Sequence, residues 1–165
     1  LSYNSLAHRT TWLRSDFEKG GDAVHMTLEA DYAVRIVGCL TQAARRCDAA
    51  YLAEQTQVPL RFSLKILRKL VQDGLVVSYK GARGGYCLAR PASEITLRQV
   101  LEAVEGPYVL SRCQRDEGCC PQMHSCRFSA IYAEISELVR EKLDAHTFAE
   151  LCSCGTDQQK CDSST

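Results

Sequence analysis

From Thr27 onward Leu28, Tyr32, Ile36, Val37 and Leu40 recur at spacings of three and four with polar residues between, the period of a helix that buries one face. The pattern predicts a helix ending near Arg45-Arg46, where positive charge suits a C-terminus. Asp48 is placed to cap a short second helix through Gln55, with Tyr51, Leu52 and Ala53 inward, and Thr56 to Pro59 make a tight break. A third helix follows in LRFSLKILRKLVQDG: Phe62, Ile66, Leu67 and Leu70 are its expected buried stripe, Arg61, Lys65, Arg68 and Lys69 its outer face, and Gly74 its stop. The period then changes. LVVSYK (75–80) and GYCLAR (85–90) predict two β-strands joined by Gly81, Ala82, Arg83 and Gly84. Past Pro91, Leu97, Val100, Leu101 and Val104 predict a helix near 96–105, capped by Ser93 or Thr96 and ended by Gly106-Pro107. A last run, Phe128, Ile131, Tyr132, Ile135, Leu138, Val139 and Leu143, predicts a long helix. Its stripe reads as a dimer contact, with burial inside one subunit as the alternative.

Two short helices joined by a tight turn, the second cationic outside, form a helix-turn-helix of the kind that lays its second helix in a DNA major groove; an amphipathic pair with an ordinary Lys/Arg surface is the competing reading. The hairpin decides between them, because a β-hairpin directly after a helix-turn-helix is a wing. Gly84 in its tip lets backbone approach a phosphate closely, and Arg83 can reach a narrow minor groove. The expected fold is mainly α with a small β-hairpin: a winged helix-turn-helix domain plus a long C-terminal dimerisation helix. The expected organisation is a flexible extension over 1–25, the DNA-binding domain over 26–92, a cysteine loop with dimerisation helices over 93–150, and a disordered Cys-containing tail over 151–165.

A length of 165 residues with 45% hydrophobic and 24% charged side chains suffices for one core without covalent staples. No apolar run is long enough for a membrane span and no secretory h-region precedes the domain, so a cytoplasmic protein without a membrane partner is expected. The net charge of zero conceals a division. Residues 26–90 hold ten Lys and Arg against five acids, +5, while residues 91–165 hold seven against twelve, −5. A basic first half suggests a polyanionic partner, which beside the winged helix-turn-helix is double-stranded DNA; on charge alone, random asymmetry of solvated faces is the alternative.

The stretch CQRDEGCCPQMHSC places four of the ten cysteines within fourteen residues and no apolar period explains them. Cys113 and Cys119 are six positions apart, as are Cys120 and Cys126. Thiols on a polar loop can converge on one centre, and a cationic metal keeps them deprotonated. A metal or cluster is the leading reading; a disulfide pair or thiol switch is the alternative. His124 lies inside the loop and reads as solvent-facing. Cys39, Cys47 and Cys87 read as core or near-surface residues, while Cys152, Cys154 and Cys161 stay unassigned.

The combination of MTLEADYAVR at 26–35, the helix-turn-helix, the wing GARGGYCLAR, the segment ITLRQVLEAVEGP and cysteines six apart resembles the Rrf-type (IscR/NsrR/RirA-like) winged-helix iron-sulfur transcription regulators over residues 26–150. The resemblance implies a homodimer with crossed C-terminal helices and an iron-sulfur cluster, 2Fe-2S or 4Fe-4S, near the dimer interface. Carried over by position, its ligands are Cys113, Cys119 and Cys126, with Cys120 as the alternative to Cys119. Adjacent cysteines depart from the usual single one. The fourth ligand in some members is a His three residues past the last Cys, where this chain has Ser129; others use an acid near the start of the first helix, donated by the partner subunit, and Asp31 holds that position.

The expected function is a DNA-binding repressor whose operator affinity follows a cluster that senses nitric oxide, redox state or iron supply. Arg61, Lys65 and Lys69 are expected on bases or phosphates, with Arg83 and Gly84 at the wing. Competing readings are the same fold using thiols or another metal, and an electron-transfer iron-sulfur protein. No nucleophile-base pair, phosphate loop or paired carboxylates mark an enzyme.

Overall fold

The computed structural model describes residues 26–81, 84–115 and 125–153. Helix α1 (Leu28–Ala43) starts on Thr27, whose hydroxyl accepts from Ala30 N at 3.2 Å, and ends at Ala44 in the left-handed region. It stops short of Arg45 and Arg46. Those guanidinium groups lie instead over the rings of Tyr51 (4.8 Å) and Tyr79 (3.8 Å), tying the connection to the next helix and to the hairpin. Helix α2 (Ala49–Thr56) is capped by Asp48, which accepts from Tyr51 N at 2.8 Å. Helix α3 (Leu60–Gln72) begins after Pro59. Its end is a Schellman motif: Gly74, at φ +72°, donates to Val71 O, and Leu75 N reaches back to Leu70 O at 2.9 Å.

Strands β1 (Val76–Tyr79) and β2 (Gly85–Leu88) pair antiparallel from Val76↔Leu88 to Tyr79↔Gly85. Cys47 joins the hairpin through an isolated bridge to Tyr86. After a single 3-10 turn at Ala92–Glu94, helix α4 (Leu97–Glu105) opens with a capping box in which Thr96 and Gln99 satisfy each other's backbone N–H. Then come α5 (Arg112–Arg115), α6 (Arg127–Asp144) and α7 (Phe148–Ser153).

One core joins these parts: Ala30, Ala33, Ile36, Val37 and Leu40 of α1 pack with Leu52, with Ile66, Leu67 and Leu70 of α3, and with Ile95, Val100, Val104 and Phe148. The stripe of α3 differs by one place from expectation. Ser63, Ile66, Leu67 and Leu70 are buried, the exact i, i+3, i+4, i+7 face, whereas Phe62 is 45% exposed. Ser63 is tolerated inside because its hydroxyl donates toward the carbonyls of Val58 (3.3 Å) and Pro59 (3.4 Å).

The tail also differs at its start. Residues 151–153 belong to α7, which folds back on α1 because Leu97 N donates to His146 O and Phe148 N to Ile95 O, both at 2.9 Å. Phe148 is thereby buried, and Cys152 Sγ comes to 3.9 Å from Gly38 O. Residues 1–25 and the rest of the expected tail lie outside the described residues. Among the described residues no helix is long and apolar enough to cross a membrane.

Candidate functional site

The face of α3 splits into two rows. Phe62, Lys65 and Lys69 turn toward α1: the Phe62 ring lies 6.1 Å from that of Tyr32, Lys65 Nζ 3.1 Å from Glu29 Oε2, and Lys69 Nζ 2.8 Å from Glu29 Oε1. Lys69 also donates to Val104 O at 2.6 Å, so its charge is engaged between α1 and α4. The Lys69 ammonium, ahead of Lys65, holds the Glu29 carboxyl below the usual carboxylate range against the opposing effect of partial burial. Arg61 and Arg68 occupy the outer row, exposed and without an ion-pair partner among the described residues. Of the expected DNA contacts on this helix, Arg61 therefore projects freely, Lys65 is half-exposed, and Lys69 is the most enclosed.

The hairpin fixes the second candidate contact. A Cβ on Gly84 would fall 2.5 Å from Tyr79 O and 2.8 Å from Gly81 O, so only glycine fits where the tip turns back. Arg83 lies outside the described residues.

Of the expected cluster cysteines, Cys113 lies on α5 and Cys126 at the start of α6, and α6 packs against the turn that carries Cys113. Ser136 is fully buried and its hydroxyl hydrogen is shared between Tyr132 O (2.7 Å) and Gln114 Oε1 (3.0 Å), while its oxygen accepts from Leu110 N at 2.9 Å. Gln114 is the neighbour of Cys113, so Ser136 pins the turn that carries this thiol. That turn is helical rather than a free loop. Cys126 occupies the N-cap position of α6. Cys113 and Cys126 are both free and half-buried. Cys119, Cys120 and His124 lie outside the described residues, and among those described no group of three or more His, Cys, Asp or Glu converges on a metal-sized site. Two thiols on packed elements with a cysteine-bearing connection between them fit part of a cluster's donor set.

Asp31, the expected fourth ligand, lies on the first turn of α1 with its carboxylate 2.7 Å from Arg35 and half-exposed. The same end of α1 is fastened on two sides: Glu29 to α3, and the Thr27 hydroxyl to the Glu105 carboxylate of α4. Ser136, Gln114 and Glu29 were not legible as functional residues. The only signal was Ser136, one of two serines in the long helix, standing amid its apolar period. Elsewhere burial pushes the thiols of Cys39, Cys47 and Cys152 up from their ordinary range, as expected of packed cysteines.

A helix-turn-helix followed by a β-hairpin, all on one core, defines a winged-helix DNA-binding protein. Residues 26–153 match the family model described as "Rrf2: Iron-dependent Transcriptional regulator", and the chain belongs to that family. It is similar to Protein aau3 of Rhizobium meliloti (strain 1021), 32% identical over 130 residues covering 78% of this chain and 84% of that protein. It is likewise similar to the HTH-type transcriptional regulator IscR of Serratia proteamaculans (strain 568), 33% identical over 102 residues, 62% of each chain. Among solved structures, T. potens IscR superposes with a TM-score of 0.65 at 20% identity, covering 85% of this chain and 94% of that one. CymR, titled the global cysteine regulator of B. subtilis, does so with a TM-score of 0.62 at 21% identity, covering 80% and 98%. At these identities the structural likeness establishes the winged-helix fold. The protein is a transcriptional regulator, not an enzyme.

Proposed function

We propose that this protein is a homodimeric repressor whose operator affinity is set by an iron-sulfur cluster held by Cys113, Cys119 (or Cys120) and Cys126, with Asp31 contributed by the partner subunit. Arg61 and Lys65 meet the operator from α3, and Arg83 and Gly84 from the wing. The observation that carries the reading is the shared first turn of α1: Asp31 and Glu29 sit two residues apart, and Glu29 grips Lys65 and Lys69 of α3. When bound, the cluster supplies a centre altered by nitric oxide, oxidants or iron scarcity. The chain's own part is mechanical. Ser136 and Gln114 hold the Cys113 turn against α6, and Glu29 transmits any displacement of the α1 start to the recognition helix. Half-sites about 34 Å apart then no longer fit both helices at once.

Protein purified without oxygen should contain iron and acid-labile sulfide and bind its operator differently from the apo form. Cys126→Ala should be colourless with altered operator affinity. A Cys126→Ala protein that keeps its visible absorbance removes this ligand from the set, and iron-free anaerobic preparations of the natural chain overturn the cluster reading.

A second reading, thiol-based sensing in the same fold, draws on the likeness to CymR and on the packed thiols of Cys39, Cys47 and Cys152. Iron-free protein whose DNA affinity responds to an oxidant would favour it.

A further inference from the structure

The recognition helix carries three exposed apolar side chains in its first five residues, Leu60 at 46%, Phe62 at 45% and Leu64 at 40% exposure. Phe62 is accounted for by the Tyr32 ring. Leu60 and Leu64 are not: they stand one turn apart on the outer side of α3, away from the row that Lys65 and Lys69 anchor to Glu29. Leu64 lies three positions after Arg61 and four before Arg68, both exposed and without an ion-pair partner among the described residues, so the two leucines form an apolar strip along the edge of a cationic face.

We propose that Leu64, flanked by Leu60, reads thymine in the operator through its C5 methyl group. The inference rests on α3 being the recognition helix. The charge arrangement selects a nucleic acid as the occupant of this strip, because the two guanidinium groups along its edge, one turn before and one turn after Leu64, can reach phosphates or base edges while the leucines meet the groove beside them. The N-terminal turns of such a helix meet base edges, and the thymine methyl is the apolar group the major groove offers there. A leucine has no donor or acceptor, so it distinguishes thymine from cytosine by contact area alone. Burying one methyl against Leu64 corresponds to about fourfold in affinity per contacted thymine.

The test uses the full-length protein and duplexes that it enriches from a random-sequence pool. Replacing each thymine in turn by deoxyuridine removes the methyl and keeps the hydrogen-bonding edge. The natural protein should lose about fourfold at one or two thymines per half-site, and Leu64→Ala should show no loss at those positions while still binding the thymine duplex. Leu64→Gln, another replacement at this exposed place, should abolish the penalty too. Uniform tolerance of deoxyuridine by the natural protein, or an undiminished penalty in both variants, overturns the leucine contact and leaves the DNA-binding assignment standing. Failure to enrich any duplex overturns that assignment and the contact with it.

Discussion

Cys47 and Tyr86 exchange both backbone hydrogen bonds, Cys47 N to Tyr86 O at 2.9 Å and Tyr86 N to Cys47 O at 2.7 Å, so one isolated bridge ties the segment after α1 to the wing. The wing's position relative to the helix-turn-helix is set by this bridge and by Arg46 lying over Tyr79.

Gly85 is the weak point of that bridge. It holds φ +142°, and a Cβ there would lie 2.7 Å from Cys47 O. Gly85→Ala should cost about 2 kcal/mol, from backbone strain and the displaced strand. A thermal melt should fall accordingly, and operator binding should weaken with it. An unchanged melting midpoint would show that the bridge does not hold the wing.

Glu29 links pH to the seating of the recognition helix. Its carboxyl is held below the usual range in the folded protein, so its stabilising contribution is present above the unfolded value of about 4.3 and is lost as pH falls through the lower folded value. Because its side chain is 27% exposed and both partners are lysines, the contribution is about 1 kcal/mol. Glu29→Gln should be less stable by that amount near neutral pH and should lose less on acidification. Parallel stability curves for the two proteins below about pH 5 would refute the clamp.

Ser136→Ala leaves Leu110 N without its buried partner and removes one of the two donors to Gln114 Oε1, the other being Ser111 N, a loss of about 1–3 kcal/mol. The Cys113 turn should loosen while α6 stays helical. In anaerobically reconstituted protein the visible absorbance should decay faster on exposure to air than in the natural chain. Equal decay rates would mean that Ser136 serves only the fold.

Along α6, Phe128, Ile131 and Leu138 are 69%, 53% and 58% exposed, and Tyr132 and Ile135 each 38%. An apolar face of this length against solvent accords with a second copy of the chain. Ile131→Glu combined with Leu138→Glu should shift the sedimentation coefficient to that of a monomer without altering the helical signal. A variant that still sediments as a dimer would move the interface elsewhere.

Periodicity and caps alone determined the order of α1 to α4, the hairpin and α6, but neither α5 nor α7. Thr27, Asp48, Thr96 and Gly74 each mark a helix boundary through bonds reaching no more than five residues along the chain, and the switch from a three-and-four rhythm to Val- and Tyr-rich strands marks the wing. Of the motifs of the family resemblance, MTLEADYAVR spans the start of α1 and ITLRQVLEAVEGP spans α4, so the class of protein was legible as well. What the tertiary structure decided is which face each side chain meets. Lys69 and Arg68 are neighbours of the same charge, yet one is drawn between Glu29 and Val104 O and the other is left to solvent. Phe62 gives its inward place to Ser63, the last helix folds Phe148 into the core, and Ser136 reaches Gln114 from 22 positions away. Those outcomes depend on contacts between segments remote in the chain, and local pattern contains no term for where a distant element will come to lie.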